Sequence, residues 1–331
     1  MFLDSPDFLY YSLHLITIIA TPLHILGFYC IVFKTPKAIN SVKLTMLNLH
    51  IWCMILDWGL TVFSVPFLLF PALAGFPLGL WTTVLKVPTS WQVYLIITSM
   101  YTTCTGVVQI FENRYYHISG RNTLWRHFRV PFFTVNYILN VTVLIHAMTR
   151  IPEQTSAVQT IYERLPDLSA EIRSYPIFVF STDYFSLLVP LYLLVSLIGA
   201  EAFVFCTLIY RKLNSHFACI RSRNTMILQR RFLKATYFQA VVLVSSFILP
   251  IMYASVSMLF DYYNQAGNNI VFIFLAIHGI SSTIVMLWAH KPYRTVCLDA
   301  IRELKFGVKR LRMLNIPEER RPPRIVISVV V

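Results

Sequence analysis

Seven apolar runs, each about 20 residues or longer, constrain this chain more than any single motif. They cover about residues 8–33, 44–68, 90–112, 130–149, 177–209, 235–260 and 269–289. A bilayer core is crossed by about 20 apolar residues in helical form, and only a helix or a closed barrel satisfies its own backbone there. Runs this long select the helix. Composition agrees, since 56% of the 331 residues are hydrophobic, 13% are charged and the mean hydropathy is +0.62. Soluble domains carry roughly a quarter charged residues. The expected fold is therefore all-α, a seven-transmembrane helix bundle.

The gaps between the runs carry charge in alternation. Of the 28 lysines and arginines, 24 fall in residues 34–43, 114–129, 210–234 and 290–331, and the intervening gaps hold four. Basic loops stay on the cytoplasmic side, so the N-terminus is expected outside and the C-terminus inside, with an odd number of crossings. The same sorting accounts for the net charge of +13 without nucleic acid, and it directs the basic face toward anionic membrane lipid. Asp4 and Asp7 stand where a cleaved signal would carry basic residues, so the first run is read as a retained span.

Two stretches are ambiguous in length. "PALAGFPLGLW" (71–81) is apolar but broken by proline and glycine, and reads as an extracellular turn region. The fifth run contains Asp183 and Glu201, which 18 residues of helix separate by about 27 Å, so each can sit near an opposite interface. The six cysteines, Cys30, Cys53, Cys104, Cys206, Cys219 and Cys297, give no disulfide framework.

Several stretches in a fixed order, "PLHILGFYCIVFKTPKAINSVK" (22–43), "MLNLHIW" (46–52), "PALAGFPLGL" (71–80), "FENRYY" (111–116), "YYNQAGNN" (262–269) and "HGISSTIVMLWAHKPYR" (278–294), resemble the nematode serpentine chemoreceptors of class H. The resemblance runs over about residues 8–295. It implies a multi-pass plasma-membrane receptor of sensory cilia that detects a small-molecule chemical cue and acts through a heterotrimeric G protein. No cofactor is expected. On this reading residues 1–295 are the receptor domain and 296–331 a cytoplasmic tail, an amphipathic helix followed by a disordered end.

The third run ends in Glu112, Asn113, Arg114 and Tyr115, which is similar to the acid-arginine-tyrosine end of the third helix in rhodopsin-like receptors, with Asn113 inserted. A guanidinium there can pair with a carboxylate in one state and bind carbonyls of a G-protein helix in another. The charges can equally just stop the helix at the headgroups, with Tyr115 and Tyr116 as anchors. His290, Pro292, Tyr293 and Arg294, in "HKPYR", close the other inner segment; the Asn-Pro-x-x-Tyr motif of the wider superfamily is absent. After Pro292, apolar residues at Cys297, Ile301, Leu304, Val308 and Leu311 among basic ones fit an amphipathic helix on the inner leaflet. Cys297 is a lipidation candidate or a plain buried thiol. Pro190 and Pro250 permit kinks in the fifth and sixth runs.

For the ligand, Tyr94, Thr98, Tyr101, Asp183 and Tyr253 offer aromatic surface with polar handles in the outer half. Asp57, deep in the second run and without an evident basic partner, is either a functional carboxylate or a structural one. The loop from Arg150 to Pro176 can lid the pocket, and no extracellular cysteine staples it.

Other classes fit less well. The nine histidines show no metal-ligand spacing, there is no nucleophile elbow or phosphate loop, and the seventh run lacks a lysine for a retinal Schiff base. No enzyme or metal is expected. A ligand-gated channel or a small-molecule transporter is the alternative, although no repeated halves or pore rings appear. Asn140-Val141-Thr142 lies within a run, out of reach of glycosylation, and "VISVVV" is a weak match to a PDZ ligand.

Overall fold

The computed structural model describes residues 2–214 and 223–314. Cys219, the segment from Pro317 and the "VISVVV" end lie outside the described residues, and at 304–314 the backbone alone is described. Seven helices among the described residues are long and apolar enough to cross a membrane: Pro6–Lys34, Asn40–Phe63, Thr89–Ile118, Trp125–Met148, Tyr184–Leu213, Leu233–Leu259 and Gln265–Ala289, called spans one to seven.

Local chemistry explains where several begin. Ser5 caps span one by accepting the Phe8 N–H at 3.1 Å, and Pro6 occupies its first turn, where a missing N–H costs nothing. Asn264 caps span seven by accepting the Gly267 N–H at 2.9 Å. Lys34 and Arg211 sit in last turns, complementing the helix dipole. The outer faces carry exposed apolar side chains such as Ile18, Phe33, Leu193 and Phe203, which suit lipid rather than water. Between helices the contacts include polar ones: Asn140 donates to Thr105 across spans four and three at 2.9 Å, and Gln239 to Ser282 across spans six and seven at 3.1 Å.

The "PALAGFPLGLW" region departs from the turn expected of it. Span two closes in a π-helical turn, Gly59–Phe63, and the chain then forms strand β1 (Pro66–Leu68) and strand β2 (Leu73–Pro77). Strand β3 (Phe178–Ser181) completes an antiparallel sheet in the order β1-β2-β3, with Phe67 opposite Phe76 and Ala74 opposite Val179. The residues at 66–68 and 178–181, expected inside spans two and five, are therefore sheet. Gly75 permits the pairing, because a Cβ there would stand 2.2 Å from the Phe67 carbonyl oxygen.

The expected loop lid is also structured. Helix Gln154–Arg164 crosses the loop, and the Gln154 amide brackets β3 by accepting from Val179 N (2.9 Å) and donating to Val179 O (3.1 Å). Arg164 binds Asp261 at 2.5 Å, tying the loop to the end of span six. Sheet and loop thus cap one end of the bundle, and described basic residues such as Lys34, Arg129 and Arg211 lie at the other.

Candidate functional site

Among the described residues, two polar assemblies and an apolar cavity beneath the sheet stand out along the bundle. At mid-depth Asp57 is fully buried, and a buried carboxylate needs donors. His24 Nε2 stands 2.7 Å from its Oδ2, the Gly279 N–H donates to Oδ1 at 3.3 Å, and His278 Nδ1 lies 3.0 Å from Oδ1 and equally 3.0 Å from the Leu275 carbonyl. His24 Nδ1 faces Thr283 Oγ1 at 3.2 Å, and His50 Nε2 reaches the His24 carbonyl at 3.0 Å. Asp57 was expected to lack a basic partner. Instead two histidines flank it, binding spans one, two and seven into a single network.

Those histidines were missed because their partnership is tertiary. One signal was available: His24, Asp57 and His278 lie 10, 14 and 11 residues from the basic ends of their helices at Lys34, Lys43 and Ala289, comparable depths of roughly 15–21 Å.

The basic end holds the second assembly. Glu112 is fully buried and Arg114 is 7% exposed. The acid takes two donors from span four. Trp125 Nε1 donates to Glu112 Oε1 at 2.7 Å, and Arg129 Nε donates to Oε2 at 2.9 Å. Arg129 also donates to Asn113 Oδ1 at 2.8 Å and lies over the Tyr116 ring at 4.4 Å, while Asn113 Nδ2 donates to the Ser41 carbonyl at 2.8 Å. Tyr115 packs against Phe205 of span five.

The two expected inner segments do converge. His290 is buried beyond the end of span seven, and burial first, then the Arg114 charge, holds its pKa down at about 4. Pro292 sits in the first turn of a final helix, Lys291–Leu314, and Tyr293, fully buried, bonds Thr35 Oγ1 at 2.7 Å beyond span one. Arg294 is exposed, and Cys297 is half-buried, with burial pushing its thiol pKa up.

At the capped end a cavity of about 270 Å³ lies beneath the sheet. Its roof is Pro66, Leu68, Leu73–Pro77, Phe178 and Phe180, and its walls come from spans two, three, five, six and seven. Aliphatic and aromatic side chains dominate, with Ser64, Thr89, Gln92 and Asn268 as the polar ones; among the described residues no Asp, Glu, Lys, Arg or His lines it. Such a volume is near the low end of small-molecule sites, about 300–1,000 Å³.

None of the six expected ligand residues lines this cavity. Tyr94 donates to the Val141 carbonyl on span four and Tyr101 to the Leu191 carbonyl on span five, both at 2.8 Å. Thr98 lies half-buried on the same flank of span three. The cause is helical phase: Gln92, Val93, Ile96, Ile97 and Met100 form the cavity face, one residue out of step with the residues chosen. Tyr253 donates to the Asn264 carbonyl at 3.3 Å, closing the span six to span seven turn. Asp183 is exposed just before span five and accepts the Phe185 N–H at 3.0 Å; hydrogen bonds, led by Ser186, hold its carboxyl below the usual range. Asp57 lies in the network described above, while Pro250, expected only as a hinge, does line the cavity.

Seven membrane-length helices among the described residues define a seven-transmembrane helix bundle. Residues 4–303 match the family model described as "Serpentine type 7TM GPCR chemoreceptor Srh". A protein described as "Serpentine receptor class H-72", from Caenorhabditis elegans, is 26% identical over 304 residues, spanning 88% of this chain and 85% of its own. The chain belongs to the serpentine chemoreceptor Srh family, a receptor family of multi-pass membrane proteins.

Proposed function

We propose that this protein is a chemosensory G-protein-coupled receptor that binds a small molecule beneath the sheet and signals to a heterotrimeric G protein at the basic end. The observation that carries this reading is the position of the apolar cavity, roofed by the sheet and separated along the bundle from the Arg114 and His290 cluster. Family membership supports the receptor class. The alternating loop charge supports an orientation with the sheet outside and Arg114 inside. Plasma membrane of a sensory cilium is the proposed location.

The Asp57 network lies between the two ends. Rearranging it would shift spans one, two and seven against one another, which is how a discrete two-state element couples distant sites. Paired acid and base inside a membrane also occur in transporters. Here His24, Asp57 and His278 are each fully buried, which favours an internal brace over a conduction path.

The test is ligand-evoked G-protein activation in cells expressing the receptor, scored with ion current in cells lacking functional G proteins. Activation without current supports the receptor reading; persistent current would establish the channel or transporter instead. Arg114→Ala is expected to reach the surface normally and to lose most activation. Normal signalling by that variant would remove Arg114 from the coupling role.

A further inference from the structure

The cavity's polar atoms define the chemistry of what it takes. Gln92, on span three, is 1% exposed, and its Nε2 donates to the Val87 carbonyl (2.9 Å) and Thr82 Oγ1 (2.8 Å). Asn268, on span seven, is 3% exposed, and its Nδ2 donates to the Phe70 carbonyl at 3.0 Å. A carbonyl oxygen can only accept, so in each amide the nitrogen is the atom facing the backbone and the oxygen is the atom left over. Both leftover oxygens, Gln92 Oε1 and Asn268 Oδ1, are buried with no hydrogen-bond partner among the described residues.

Two partnerless acceptors among the residues that line one apolar cavity, one from span three and one from span seven, are unusual, because a buried acceptor without a donor costs about 1–3 kcal/mol. A bound donor removes that cost. The lining sets the second condition. With no ionisable side chain to compensate it, a carboxylate or an ammonium group would lose its hydration without return.

We propose that the cavity recognises an uncharged, largely apolar molecule bearing a hydroxyl or N–H group, seated so that it donates to Gln92 Oε1, Asn268 Oδ1 or both. This rests on the reading of the cavity as the ligand site. Ligands that only accept, such as ethers and ketones of the same shape, fill the apolar volume but leave both oxygens unsatisfied. Specificity then resides in donor count and placement rather than in charge.

The full-length receptor in lipid nanodiscs tests this by ligand-induced shifts in thermal unfolding. The probes are matched sets on octyl, phenylethyl and cyclohexylethyl skeletons, each as alcohol, methyl ether, carboxylate and amine. On at least one skeleton the alcohol is expected to bind about tenfold more tightly than its methyl ether, the worth of one good buried hydrogen bond, while carboxylate and amine produce no shift. Gln92→Met or Asn268→Leu should shrink the alcohol-to-ether ratio toward one. Where either variant fails to fold, because its nitrogen also tethers backbone, the ratio in the unaltered receptor decides alone.

Ala254→Phe, which fills the cavity from span six, separates the two levels of the argument. Equal binding of alcohol and ether on every skeleton, tighter binding of a charged member, or no binding by any alcohol overturns the donor requirement. Alcohol binding that survives Ala254→Phe overturns the cavity itself as the site.

Discussion

At the residue scale, Asp57 and Glu112 are both buried carboxylates that rely on neighbouring donors, and they give separable predictions. A Cβ on Gly279 would stand 2.0 Å from Asp57 Oδ2, too close for non-bonded atoms, so Gly279→Ala forces the carboxylate to move and disturbs the span two to span seven junction. That change is expected to lower the unfolding temperature of the purified receptor by several degrees, as is Asp57→Ala. Asp57→Asn keeps an acceptor for His24 and should lose less. If Asp57→Ala unfolds at the unaltered temperature, the network does not brace the bundle. Glu112 depends on Arg129 in the same way. Removing Arg129, whose side chain is 26% exposed, strands the fully buried Glu112 carboxylate. Arg129→Ala should therefore reduce surface expression sharply, and adding Glu112→Gln should restore much of it. No rescue would mean that Arg129 acts through its contacts with Asn113 and Tyr116 instead.

Element by element, the junction between span seven and the final helix is where acidity should act. His290 has an ordinary pKa of 6.5 that burial and Arg114 hold down to about 4. The unfolded chain then binds the proton more readily than the folded one, so stability is complete above about pH 6.5 and declines as pH falls from 6.5 to 4. The loss over that window is at most about 3 kcal/mol. His290→Asn should flatten the dependence in a pH series of unfolding temperatures; an unchanged slope would assign it to another group. At this scale the sequence was legible wherever length alone carried the signal. Runs of about 20 apolar residues report a bilayer, so every span was found. Strands β1 and β3, of three and four residues, gave no such signal and vanished into the ends of neighbouring runs. β1 pairs with β2 next to it in sequence, Pro66 opposite Pro77, but β3 pairs with β2 from more than 100 positions away, Ala74 opposite Val179, beyond any local pattern.

For the whole molecule, the legible part was the architecture and the illegible part was which side chains meet inside it. The convergence of residues 112–115 with 290–294 was readable because the charge alternation put both at one end. The cavity face of span three was not, since a helix offers several faces and aromatic surface with a hydroxyl favoured Tyr94 and Tyr101, which bond neighbouring spans, over Gln92. The Asp57 network was hidden for a related reason: three residues on three spans at similar depth become partners only once the bundle is assembled.

The claim on which the rest depends is that the sheet and cavity face outward while the Arg114 end faces the cell interior. Exposed Leu85, beside the sheet end, and exposed Leu124, at the basic end, allow a direct measurement by cysteine substitution and a membrane-impermeant maleimide. The account predicts that Leu85→Cys is labelled on intact cells and Leu124→Cys only after permeabilisation. Labelling of Leu124→Cys on intact cells, with Leu85→Cys protected, would place the cavity inside the cell and contradict it.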